Sequence, residues 1–251
     1  LFHRAIVEAF RDKDNNQVFL REGTHGLPFG VIDIKFDVNS LDWYGYRLVD
    51  LVAVGDLKIS GLRNRYRTPG IGAPLAARPQ PLDGTFDDQE LIGPHVRVPI
   101  TALLRIEQPR RQILSDSLQG SLEVRSTSDT ESTLIGERMV PLEAEPTAVL
   151  ASTLEAERPW ALELAGFLGK AFALSTEPSL LRGGQPYQRG KIPVVFVHGT
   201  ASSVFRWADM VNDLTADRRI RERFQFWFFM YDSGNPIAFS AYRLRKALSQ
   251  N

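Results

Sequence analysis

The sequence predicts an α/β protein in two parts: a mainly antiparallel β-rich region over residues 1–145, then, over 146–251, the first half of a parallel, doubly wound sheet. Three observations carry this expectation. Every second residue from Val96 to Ile106 is apolar, the period of a half-buried strand. Two apolar runs, Ile192–Val197 and Phe224–Tyr231, the second with Gln225 as its one polar residue, read as strands covered on both faces. Apolar residues at helical spacing follow each run, so strand, helix, strand and helix alternate within about 60 residues, the pattern of right-handed parallel crossovers.

Residues 1–11 form a helix end, with Ile6, Val7 and Phe10 on one side. Val31, Ile32, Ile34, Phe36 and Val38 make a partly alternating strand, and Leu122 with Val124 a partner for the 96–106 strand. The run Thr68-Pro69-Gly70-Ile71-Gly72-Ala73-Pro74 reads as a turn, because it has neither the third glycine nor the strand-to-helix setting of a nucleotide loop. The β-rich region is expected to pack as a sandwich. Thr147–Leu154 is a short helix. Pro159 suits a first helical position ahead of Trp160, Leu164, Phe167 and Leu168. Residues 175–191 are polar and glycine-rich, hence a loop. Ser202 or Ser203 caps a helix carrying Val204, Trp207, Ala208, Val211 and Leu214. Asn235-Pro236 starts another, with Ile237, Ala241, Leu244 and Leu248 as its buried stripe.

Composition narrows the function classes. Apolar residues make up 43% of the 251 and charged residues 24%, with a formal net charge of zero, so no basic excess points to nucleic acid. Absence of cysteine removes disulfides, thiolate catalysis and cysteine zinc sites. His3, His25, His95 and His198 are far apart and show no metal-ligand spacing, so no metal or cofactor is expected. No apolar run approaches the roughly 20 residues that span a bilayer. The sequence opens without Met and closes inside a helical pattern, so both ends are expected to be cut, and the compartment stays open.

The chemistry-bearing segment is Pro193-Val194-Val195-Phe196-Val197-His198-Gly199-Thr200-Ala201-Ser202-Ser203. A buried strand ends in His-Gly, then a turn of small residues, then a helix. Acyl transfer needs backbone N–H donors aimed at a developing oxyanion, and a helix start adds free N–H groups. Lys191–Ala201 resembles the strand and oxyanion loop of an esterase- or lipase-type α/β-hydrolase. Phe205-Arg206-Trp207 and the Tyr231-Asp232-Ser233-Gly234-Asn235-Pro236 end of the second strand fall where that fold places its next helix and loop.

Gly61-Leu62-Arg63-Asn64-Arg65-Tyr66, Gly70–Leu75, Val140-Pro141-Leu142-Glu143 and Thr147-Ala148 narrow the resemblance to a group of uncharacterised bacterial hydrolases with a long N-terminal extension. It implies a serine hydrolase of carboxylic esters, with a small-molecule or lipid ester as substrate and an exported or envelope-associated setting. It also implies backbone donors at Thr200 and Ala201, supported by Gly199 and His198.

The family's Gly-x-Ser-x-Gly elbow does not occur in these 251 residues. The chain is therefore expected to be a fragment, inactive alone, with the Ser-Asp-His triad outside it. The rival expectation is a non-catalytic binding or scaffold protein of the cell envelope. Plainer roles compete at single positions: His198 as a loop support and not the general base, Ser202 and Ser203 as caps, Arg206 as a solvated residue, Asp232 as a loop hydrogen-bonder, and Arg218, Arg219, Arg221 and Arg223 as a solvated helix end.

Overall fold

The structure, a computed structural model, describes residues 2–12, 14, 16–28, 30–85, 91–114, 117–156, 180–199 and 204–250. It divides into two compact units, each assembled from separated stretches. Leu1–Lys58, Arg67–Leu82 and Arg97–Val149 form the first; Ile59–Tyr66, Asp83–Val96 and Leu150–Asn251 form the second.

The first unit opens with helix α1 (Phe2–Phe10), which buries Ile6, Val7 and Phe10. Its sheet has seven strands: β1 (Gly23–Leu27), β2 (Gly30–Phe36), β3 (Asp42–Trp43), β4 (Tyr46–Ala53), β5 (Ala73–Pro81), β6 (Val98–Ile106) and β7 (Ser117–Ser126). They lie in the order β1-β2-β7-β6-β5-β4-β3. Every pairing is antiparallel except β2 with β7. A short helix, α2 (Pro109–Ile113), separates β6 from β7, and β8 (Ser132–Ile135) with β9 (Arg138–Pro141) forms a separate hairpin. In this unit the described residues thus hold one large sheet and a hairpin, where the sequence suggests a sandwich.

The alternation in 96–106 reads as a strand with one wet face, yet the centre of β6 is buried on both. Ile100 and Ala102 lie on one face, Thr101 and Leu103 on the other, and all four are closed to solvent. Cross-strand pairs Leu75–Ile100, Ala102–Val124 and Leu104–Leu122 fill the first face. The segment around 141–144 meets the second: the Thr101 hydroxyl donates to the Glu143 carbonyl, which satisfies the one polar side chain there. Strand β5 hides behind its prolines. Pro79 and Pro81 lie beyond its last pair with β6, Ala77–Val98, so β6 asks no N–H of them.

The Thr68–Gly72 run is a close crossing of two backbones. The Thr68 and Ile71 amides donate to the Ala144 and Pro141 carbonyls at 2.8 and 2.9 Å, and the Glu143 and Ala144 amides return bonds to Ile71 and Thr68. A Cβ on Gly70 would stand 2.5 Å from the Leu142 carbonyl carbon and 2.6 Å from the Glu143 nitrogen. Gly72 has φ of 100° and faces the Thr101 methyl. Glu143, 4% exposed, takes the Gly70 amide at 2.8 Å and pairs with Arg67 at 2.6 Å.

Helix α3 (Pro146–Ala156) covers the expected Thr147–Leu154 segment, whereas Pro159 to Leu168 lies outside the described residues. The second unit holds β10 (Leu180–Gly183), β11 (Ile192–Val197) and β12 (Phe224–Met230). Their order is β10-β12-β11, with β11 parallel to β12 and β10 antiparallel to it.

This corrects the fold class. The chain is a mixed α/β protein whose large sheet is mainly antiparallel; it is not a parallel, doubly wound α/β-hydrolase sheet. The expectation rested on two apolar runs, and apolarity reports burial without reporting strand direction. Residues 180–183, read as loop, supply the antiparallel strand instead.

A 3-10 turn (Val204–Trp207) leads into α4 (Ala208–Ala216), followed by α5 (Arg218–Arg223) and α6 (Ile237–Gln250). Trp227 and Phe229 of β12 pack with Leu91, Leu181, Val195, Leu244 and Ala247. Helix α6 meets this core through Leu244 and Ala247, while Ile237 is 87% and Leu248 40% exposed. The buried face is therefore rotated from the stripe suggested by the sequence. Ser240, one turn before Leu244, is closed to solvent in its place. Among the described residues strand β11 is an edge, with Ile192 52% and Val197 41% exposed.

Candidate functional site

Parallel strands present their carboxyl ends at one edge, and loops gather there. The β11–β12 register pairs Val197 with Phe229, so β11 runs into His198-Gly199 beside the point where β12 runs into Tyr231. The phenol of Tyr231 donates to the His198 carbonyl at 2.6 Å. The two rings stack with centroids 4.4 Å apart and planes 20° apart, and Phe229 also stacks on Tyr231 at 5.3 Å. Burial pushes the Tyr231 phenol up from its ordinary value, so at neutral pH it stays protonated and keeps donating. His198 itself is 7% exposed.

The His198 ring sits 3.0 Å, through Nδ1, from the Gly199 carbonyl. A carbonyl only accepts, so this bond requires the proton on Nδ1. Both His198 contacts act on the turn: the ring holds the next peptide, and its own carbonyl is held by Tyr231. Among the described residues no serine or carboxylate engages the ring, as a general base would require. Gly199 differs from Gly70: among the described residues nothing lies within 4 Å of where a Cβ would stand, and its φ is outside the left-handed region. Open space over a fixed backbone is what a ligand needs to approach main-chain groups.

Beyond β12, Asp232 closes a local turn, accepting from the Gly234 amide at 2.8 Å, while its carbonyl takes the Asn235 amide. It is thus a loop hydrogen-bonder. Arg206 is exposed. The arginines of α5 are engaged locally: Arg218 with Glu222, Arg219 with Asp217, and Arg221 with the Thr215 and Ala216 carbonyls. Thr200 and Ala201, the donors implied by the resemblance, lie outside the described residues, as do Ser202 and Ser203. Of the predicted site residues the structure therefore places His198 and Gly199.

Tyr231 is the contributor that sequence reasoning left without a role. Its signal was faint: one hydroxylated aromatic ending a strand of phenylalanines. Gln225, the lone polar residue inside that strand, is 6% exposed, and its side chain bonds the Gln188 amide, the Gln188 carbonyl and the Lys191 carbonyl. It thereby fixes the loop that enters β11.

No group of three or more potential metal ligands occurs among the described residues, and no helix among them is long and apolar enough to cross a membrane. No family model, curated protein or solved structure matches the chain.

Proposed function

We propose that this chain is part of a serine hydrolase of carboxylic esters and contributes the turn that stabilises the oxyanion. The observation that carries the reading is the clamped His198 peptide at the carboxyl edge of a parallel strand pair, with no described residue over the Cβ position of Gly199. In this reading an ester carbonyl lies over Gly199. A serine attacks it, and the oxygen that gains charge takes hydrogen bonds from the backbone N–H of Thr200 or Ala201 and of the residue after the nucleophile. His198 and Gly199 shape the turn and handle no proton. In this reading residues 1–251 do not supply the nucleophile, acid and base, because they contain no serine elbow.

The decisive experiment uses Gly199→Val in the full-length gene product, read by ester turnover and fluorophosphonate labelling. With open space at the Cβ position the variant keeps its fold, while its side chain intrudes where the ester would lie. Loss of one oxyanion donor typically costs about 10²–10³ in rate, and a fall of that order is expected with labelling retained. Unchanged turnover sinks the assignment. The scaffold reading is favoured by a different observation, the exposed apolar edge at Ile192 and Val197. It predicts that the full-length product neither turns over esters nor takes the probe.

A further inference from the structure

Residues Gly61–Tyr66 lie along one face of α4, within the second unit. The Arg63 amide and Nε donate to Asp209 at 2.8 and 3.1 Å. Asn64 Nδ2 and the Tyr66 hydroxyl donate to Asp213 Oδ1 at 3.0 and 2.8 Å. In return Asn212 Nδ2 donates to the Asn64 carbonyl at 2.8 Å. Asp209, Asn212 and Asp213 are spaced i, i+3, i+4, so one helix face makes all five bonds, accepting four and donating one. Asn212 is 3% exposed, so detaching the segment would cost its side chain a partner in a place water reaches poorly.

Helix α4 begins directly after the 3-10 turn Val204–Trp207, and the Trp207 ring packs against Phe196 of β11 at 5.4 Å. Two residues past Phe196 is His198. Force on α4 therefore reaches both ends of the 198–207 connection: its C-terminal end through the continuous chain, and its N-terminal end through the Trp207–Phe196 contact.

We infer that Gly61–Tyr66 is a strap, and that Arg63, Asn64 and Tyr66 are positioning residues that hold the His198–Gly199 turn through α4. The mechanical coupling stands on the bonds above; its catalytic meaning rests on the ester-hydrolase reading. Packing gives α4 a buried side at Ala208 and Val211, where apolar burial is non-directional. The strap supplies directional bonds across that axis.

The test is amide hydrogen exchange of the 251-residue chain carrying Asp213→Ala, with Asp213→Asn as the conservative variant that keeps a carbonyl acceptor for Tyr66 and Asn64. Asp213→Ala is expected to speed exchange about threefold or more in residues 59–66 and 208–216, and also at His198, Gly199 and Val204–Trp207, while β12 keeps its protection. Asp213→Asn is expected to restore most of it.

Should Asp213→Ala not fold, Tyr66→Phe removes one hydroxyl and is read the same way, with a smaller increase. Faster exchange confined to 59–66 and 208–216 would show a purely local role and overturn the inference. In the full-length product Asp213→Ala is then expected to lower kcat with little change in KM. Absence of any ester turnover in the wild type would remove the functional reading and leave the exchange result to decide the coupling.

Discussion

Two glycine turns of this protein look alike in sequence and are opposite in structure. Gly70 lies where two backbones cross, and a Cβ there would run into the Pro141 carbonyl, Leu142 and Glu143. Gly199 lies at the end of a strand with no described residue within 4 Å of its Cβ position. At the first, glycine is required because the space is full. At the second, the backbone tolerates a side chain and the empty space is the feature. A glycine in a turn thus has two physical meanings, separated only by what stands over it.

The contrast breaks first at its crowded end. The neighbours of Gly70 are main-chain atoms that cannot swing aside, unlike the tip of a flexible side chain. Gly70→Ala must push 67–72 away from 141–144 and stretch four backbone hydrogen bonds. Chemical denaturation should show a loss of about 3 kcal/mol, the upper range for overpacking. A loss below about 1 kcal/mol would mean that the crossing is loose.

Glu143 tests the same crossing from the side-chain end. Its carboxylate is buried and serves both Arg67 and the Gly70 amide. Glu143→Ala leaves that amide without its acceptor and removes the partner of Arg67, whose side chain is 48% exposed and can turn to water. The expected destabilisation is about 2 kcal/mol, chiefly from the orphaned amide. Glu143→Gln keeps an acceptor and should recover about half, measured by the same denaturation. Equal losses in the two variants would assign the effect to charge and not to the hydrogen bond.

At the open turn the corresponding clamp is Tyr231. Tyr231→Phe keeps the stacking on His198 and Phe229 and removes one donated bond to the His198 carbonyl. The net loss should be about 1 kcal/mol, an ordinary value for one hydrogen bond. Exchange at Gly199 should quicken more than exchange in β12. Uniform quickening would make Tyr231 a core residue with no special hold on the turn.

What the sequence could and could not say follows the same division between local and long-range causes. The strand spanning 98–106, the helix at 146–156 and the two apolar strands 192–197 and 224–230 were legible, since each is set by its own periodicity. Direction was not. Whether 224–230 has parallel or antiparallel neighbours depends on Leu180–Gly183, four residues with an arginine and a glycine, too short to show a period. Prolines 74, 79 and 81 masked β5 because they speak against a central strand, and nothing local reveals that β6 stops pairing at Ala77.

At the site, His198 and Gly199 were readable as a motif. The clamp from Tyr231 and the strap from 61–66 were not, because each bridges more than 30 residues of chain and leaves no spacing signature.

The smallest effect is the most diagnostic, because its sign should reverse. Gly199 has an ordinary φ and no described residue at its Cβ position, so Gly199→Ala is expected to cost the folded state nothing and to narrow the unfolded ensemble. Denaturation should show a change between zero and about 1 kcal/mol in the stabilising direction, against a loss of several times that for the same substitution at Gly70. A destabilisation of Gly199→Ala comparable to Gly70→Ala would mean that the space over the turn is filled. An ester could then not reach it, and the case for oxyanion chemistry at this turn would fail on packing grounds before any rate was measured.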